Sequence, residues 1–265
     1  MITDLSKDHP NRTLWRFLLP LYLSVMFQQF YNIAYSMIAG RFAGENALAS
    51  VGASYPITII FMAFAVGSNL GTSVVVSQLF GAKDFKNMKT AISTSIISCG
   101  VLSLVLILFG ILFCPLMMRL IHTPLDIFSD GILYLKIYVY GLAFLIFYNM
   151  ATGIFTALGD SKTPLYFLIG SSVVNIILDY MFVAVFHMGV AGVAWATFIA
   201  QGVSALLALY ILFIRLKTIK NPEKSALFND NILKQILAIA IPCIMQQSVL
   251  SFCISSLDAL SWACS

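Results

Sequence analysis

Charge is scarce in this sequence. Only 10% of its 265 residues are Asp, Glu, Lys or Arg, while 60% are hydrophobic. Soluble domains carry roughly 25% charged residues, so too few are present here to cover a water-facing surface. Histidine is also rare, with three residues (His9, His122 and His187), scattered and near the ends of apolar runs. Without a cluster of His, Cys and carboxylates at ligand spacing, a zinc or other transition-metal centre is excluded. The five cysteines (Cys99, Cys114, Cys243, Cys253 and Cys264) mostly sit inside apolar runs and read as small buried hydrophobes. The formal charge of +4 is too small and too dispersed to suggest nucleic acid.

What the sequence has in quantity is long apolar runs. A helix crossing a hydrocarbon core about 30 Å thick needs roughly 20 apolar residues. The runs are continuous rather than alternating, which selects helices over a β-barrel. Spans are predicted at 14–38, 50–80, 90–114, 131–158, 164–186 and 190–214, with a seventh apolar run at 233–257. The first run, from Leu14, is too long for a cleaved signal and reads as a retained span. Breaks fall at Gly40-Arg41, Gly44-Glu45-Asn46, Gly81 to Asp84, Cys114-Pro115, Gly159 to Pro164, and Gly189 to Gly192. Leu116 to Ile121 is predicted as a short interfacial helix.

Basic residues orient this array. Twelve fall on the side of the N-terminus, at Lys7, Arg12, Arg16, Lys83, Lys86, Lys89, Lys162, Arg215, Lys217, Lys220, Lys224 and Lys234. Three, Arg41, Arg119 and Lys136, fall on the other. The excess predicts a cytoplasmic N-terminus. The polar stretch 215–232 then lies in the cytoplasm, where its basic residues face solvent or anionic headgroups.

Polar side chains inside the spans recur in steps of three and four, which places them on single helix faces. These sets are Gln28, Asn32 and Ser36; Asn69, Ser73 and Ser77; Asn149, Thr152 and Thr156; Ser171 or Ser172, Asn175 and Asp179; and Thr197, Gln201 and Ser204. Two readings stand for these sets. They glue helix to helix, or they line a wet cavity. Asp179 is the only carboxylate well inside a full span. An ionised carboxylate in a low-dielectric site is costly, so such a group takes up a proton or holds a cation with nearby oxygens. Asn175, one turn earlier, offers one.

Several motifs occur in order: Pro20 to Ser24, Gln28-Gln29-Phe-Tyr-Asn32, Ala39-Gly40-Arg41-Phe42, Ala47 to Ala53, Gly67 to Gly71, Ser77 to Ala82, and Ala157 to Pro164 followed by Asn175 to Asp179. Together they resemble the multidrug and toxic compound extrusion (MATE) family, NorM/DinF-like, over nearly all of residues 10–250. The resemblance implies an all-α membrane protein: one six-helix transmembrane lobe plus a seventh, partial-lobe helix. Residues 1–13 would be a cytoplasmic N-terminus, 14–214 the N-terminal lobe, 215–232 the inter-lobe linker, and 233–265 the first helix of a truncated C-terminal lobe.

The resemblance further implies a cation-coupled antiporter, not an enzyme, that exports organic, mostly cationic compounds by alternating access. Na⁺ or H⁺ is the coupling ion and no cofactor is needed. The cation site it implies comprises Asp179, Asn175, Thr197 and Gln28, with Na⁺ at Asp179 and Asn175. Asn32, Tyr35, Asn69, Asn149 and Gln201 are candidates for the cavity lining. Tyr35 stands where the family carries a first-span aspartate, and a phenol titrates near pH 10; carboxylate-based coupling within this lobe would rest on Asp179. The expected location is the cell (inner) membrane, and the partners are small organic substrates and membrane lipids. A missing C-terminal lobe would be needed for transport. Two alternatives are a non-functional truncated product and a lipid-linked substrate flippase of the same superfamily. Binding cavities of repeat-built transporters lie between their repeats, so this chain expressed alone is expected to export no dye from cells lacking other pumps. Measurable, Asp179-dependent efflux would overturn that expectation.

Overall fold

The computed structural model describes residues 10–38, 40, 42, 45–121, 123–218 and 226–263, without side chains at a few helical positions, Tyr35 and 250–263 among them. Among these residues eight α-helices follow in order: α1 (Pro10–Ile38), α2 (Glu45–Gly81), α3 (Phe85–Leu120), α4 (Leu125–Tyr140), α5 (Leu142–Ala157), α6 (Lys162–Asp179), α7 (Gly189–Thr218) and α8 (Asp230–Ala263). No strand occurs among the described residues. α2 has 37 residues, about 55 Å at 1.5 Å per residue, which is longer than a hydrocarbon core is thick.

Among the described residues, five helical stretches are long and apolar enough to cross a membrane, and a sixth results when α4 and α5 are counted as one bent span. The chain is a multi-pass membrane protein. α1 is a continuous helix over the predicted 14–38 span, with Gln28, Gln29 and Asn32 within little more than one turn.

One predicted break and one predicted continuous span are corrected. The chain does not leave the helix at Cys114-Pro115. α3 runs through Pro115 to Leu120, so the short interfacial helix predicted at 116–121 is the last turn of α3. A proline inside a membrane span is tolerated when neighbouring groups compensate for its missing donor. Conversely, the span predicted as one helix over 131–158 is two, meeting at Gly141 with a 47° bend. A Cβ at Gly141 would stand 3.2 Å from the Tyr138 carbonyl oxygen and 3.4 Å from the Phe198 ring. Helix starts also lie earlier than the apolar runs. Asp84 caps α3, its Oδ1 accepting the Asn87 backbone N–H at 3.0 Å; this bond holds its carboxyl below the usual carboxylate range.

α6 does not end as an α-helix. Residues Tyr180–Val185 continue it as a π-helical segment, and Phe186 N–H donates to the Met181 carbonyl at 3.0 Å. Such segments are rare and concentrate at functional positions. Asp179 is the last residue before this one.

α2 is the central helix. It packs against α3, α4, α5 and α8, while α7 joins α5 to α6 and α1 lies on α6. The fully buried side chains Val75, Val76, Met88, Ile92, Leu135, Leu142, Ile146, Met150 and Ile154 form the apolar centre. The opposite polarity holds outside. Val101, Leu104, Val105, Leu108 and Leu112 of α3 are exposed at helical spacing, the pattern of a lipid-facing stripe. Asn69 faces α5. A Cβ at Gly153 would stand 2.6 Å from its Oδ1.

One ion pair ties the polar ends together. Asp160, in the α5–α6 turn, accepts the Thr163 backbone N–H at 3.1 Å and its hydroxyl at 2.7 Å. The Arg215 guanidinium, near the end of α7, donates to Asp160 Oδ2 at 2.8 Å. Nearby, the Asn229 N–H donates to Thr94 Oγ1 at 3.2 Å, pinning the start of α8 to α3. In a double-mutant cycle of Asp160→Asn and Arg215→Gln, read by unfolding in mixed micelles, the coupling is expected to be about 1 kcal/mol, since both side chains keep partial water access.

Candidate functional site

Polar faces of four helices converge on one cavity of about 260 Å³. α1 contributes Gln28, Tyr31 and Asn32. α5, just past the Gly141 bend, contributes Leu145, Tyr148 and Asn149. α6 supplies Leu168, Ser171, Ser172 and Asn175, and α7 supplies Thr197, Ala200, Gln201 and Ser204, with Met62 of α2 at the edge. No formally charged side chain lines it.

Many hydroxyls in this region are satisfied within their own helices. Thr197 donates to the Val193 carbonyl at 3.0 Å, Ser204 to Ala200 at 2.7 Å and Ser171 to Leu168 at 3.0 Å. Thr152 and Thr156 do the same, at 2.8 and 2.9 Å, without reaching the cavity. Local pairing of this kind removes the cost of a hydroxyl in an apolar bundle. Asn149 donates its Nδ2 to the Leu145 carbonyl at 2.9 Å.

The exception is the C-terminal end of α6. The Tyr31 hydroxyl donates to Asn175 Oδ1 at 2.6 Å, joining α1 to α6. Asn175 is buried and its Nδ2 has no hydrogen-bond partner among the described residues. One turn on, Asp179 is 1% exposed, and both of its carboxylate oxygens lack a partner among the described residues. A buried polar group left unpaired carries a desolvation cost of about 1–3 kcal/mol, more when charged. The two Asp179 oxygens are acceptors and suit a proton or a small cation, whereas the Asn175 Nδ2 is a donor that calls for an acceptor such as water.

The residues picked out by spacing are thus distributed as follows. Gln28, Asn32, Asn149, Asn175, Thr197 and Gln201 line the one cavity, and Asp179 lies buried one turn from Asn175. Asn69, expected at the cavity, packs between α2 and α5 against Gly153 instead. The side chain of Tyr35 lies outside the described residues. Sequence reasoning missed Tyr31 and Tyr148, which follow or precede a selected amide on the same wall. A phenol counted as polar at a three-residue step from Gln28 would have found Tyr31.

Comparison with known proteins agrees with this architecture. The MatE family model matches residues 20–181. A probable multidrug resistance protein of Bacillus subtilis strain 168, YpnP, is 31% identical over 254 residues, covering 94% of this chain and 55% of the relative. The multidrug export protein MepA of Staphylococcus aureus strain RF122 is 24% identical, covering 91% of this chain and 53% of the relative. The chain therefore spans about half the length of the curated relatives it matches. Among solved structures, an outward-facing multidrug-resistance MATE transporter of the MOP superfamily superposes with a TM-score of 0.87 at 25% identity, over 96% of this chain and 56% of that one. A MATE in the bent conformation gives 0.84. From helix order, polar cavity and family match together, the chain belongs to the MatE (multidrug and toxic compound extrusion) family of membrane transporters.

Proposed function

We propose that residues 14–214 act as one lobe of a cation-coupled exporter of small organic compounds, with 215–232 as linker and α8 opening a second lobe. Asp179 holds the coupling proton or Na⁺, Asn175 and Thr197 assist, and the cavity beside them takes part of the transported compound. The observation that carries the reading is the buried carboxylate of Asp179, one turn from the cavity wall and without a hydrogen-bond partner among the described residues. An unfilled buried carboxylate is unfavourable, and a proton or cation relieves it. Ion occupancy and cavity shape are then linked through Asn175, which lines the cavity and accepts from Tyr31 on α1. The names of the relatives, both multidrug resistance or export proteins, support organic compounds as the transported class. The excess of basic residues on the N-terminal side supports a cytoplasmic N-terminus in the cell membrane.

The test is ion occupancy in the purified chain, measured as radiolabelled Na⁺ binding and as proton uptake after a pH jump. Asp179→Asn is expected to lower the occupied ion's affinity at least about tenfold, equivalent to about 1.4 kcal/mol. Unchanged Na⁺ binding and proton uptake in Asp179→Asn would overturn the assignment. Tyr31→Phe is expected to retain ion binding while losing an interhelical hydrogen bond of about 0.6 kcal/mol, read by unfolding in mixed micelles.

A further inference from the structure

The cavity wall has already spent much of its donor capacity. Ser171, Thr197 and Ser204 each donate their one hydroxyl hydrogen to a carbonyl of their own helix. What these three hydroxyls have left is lone pairs. Asn149 spends an amide hydrogen on the Leu145 carbonyl, while its Oδ1 accepts from no group among the described residues. The remaining polar groups of the wall do not restore the balance. The amides of Gln28, Asn32 and Gln201 carry donors and acceptors in equal number, and a hydroxyl such as that of Tyr148 has one hydrogen against two lone pairs. The unpaired Nδ2 of Asn175 is a donor, but the atom has almost no accessible surface, so an incoming molecule does not meet it. The wall is left with an excess of acceptors.

Charge does not change this. No formally charged side chain lines the cavity, and both oxygens of Asp179 also have almost no accessible surface. A molecule that displaces water from the wall and brings no hydrogen in return leaves these lone pairs buried and unpaired, which is costly. A site built for hydrogen bonding rejects an analogue without the matching group far more strongly than one differing by a methylene. At about 260 Å³ the cavity takes a ring-sized portion of a compound rather than the whole. Met62, Leu145 and Leu168 supply apolar contact for such a ring.

We propose that the cavity selects for groups that bring N–H or O–H donors, and that donors rather than positive charge decide what it accepts. Primary and secondary amines, amidines, guanidines and carboxamides carried on a ring are favoured. Quaternary ammonium and other fixed cations without such hydrogens are disfavoured. The inference rests on the reading that the cavity takes part of the transported compound, and it narrows that reading.

The test is equilibrium dialysis of the whole chain in lipid nanodiscs, with empty nanodiscs as background. Four probes share one ring system. 2-Naphthylmethylammonium and its N,N,N-trimethyl analogue have the same charge with and without N–H. 2-Naphthamide and its N,N-dimethyl analogue are the neutral counterparts. The primary ammonium is expected to bind at least about tenfold more tightly than the trimethyl analogue, and the primary amide at least about threefold more tightly than the dimethyl one. Both differences are expected to shrink when acceptors are removed, in Asn149→Leu and in the Ser171→Ala, Ser204→Ala double variant. Should Asn149→Leu not accumulate in the membrane, the serine variant carries the comparison. Equal binding within each pair overturns the proposal, as does binding of both cations and neither amide. Differences that persist undiminished in the variants report probe size and overturn it too. If none of the four probes binds above background, the reading of the cavity as a compound site falls and the proposal with it. Probe binding in that form of failure is distinct from the first three, in which the cavity binds compounds but does not choose them by their donors.

Discussion

Lipid offers the backbone no hydrogen bonds, and the rest of the structure follows from that constraint. Each N–H and C=O must find its partner inside the protein. Helices meet the demand locally, which explains helical stretches of up to 37 residues and hydroxyls turned back onto their own carbonyls. Ser24, Ser68, Thr90, Ser98, Ser103 and Thr152 all do so. With this habit so widespread, a side chain that departs from it stands out. Asp179 and Asn175 depart from it, and they do so at the point where α6 widens into a π-helical turn.

Packing then has to proceed without a hydrophobic drive between helices, because lipid is as apolar as the side chains. Close contact replaces it. Glycine recurs at the crossings: Gly67 and Gly71 against α8, Gly153 against Asn69, Gly110 against Val139, whose methyls would stand 2.8 Å from an added Cβ, and Gly131 against Met118. α2 takes part in several of these crossings, which is why it sits at the centre while α1, rich in amides, sits at the margin of the cavity.

Much of this was legible in the sequence because it is periodic. Steps of three and four put Gln28 with Asn32, Asn175 with Asp179, and Thr197 with Gln201 on single faces, and those faces meet at the cavity. Periodicity says which residues share a face but not which neighbour that face meets, so Asn69 read as cavity lining when it meets Gly153. The bend at Gly141 was invisible because both halves are apolar and a glycine alone does not mark a kink. Pro115 misled in the other direction, since a local rule for water-soluble helices is relaxed in a span. The Asp160–Arg215 pair joins residues 55 apart in sequence, and no local pattern connects them; Arg215 read only as one of twelve orienting charges.

That pair has a mechanical consequence together with the Asn229–Thr94 contact. Arg215 and Asn229 are both moored to the same bundle, on the same face. The first fastens the end of α7 to the α5–α6 turn, and the second fastens the start of α8 to α3. α8 therefore sets out along α2 from an anchored end, and the line it takes there is fixed before its first glycine crossing.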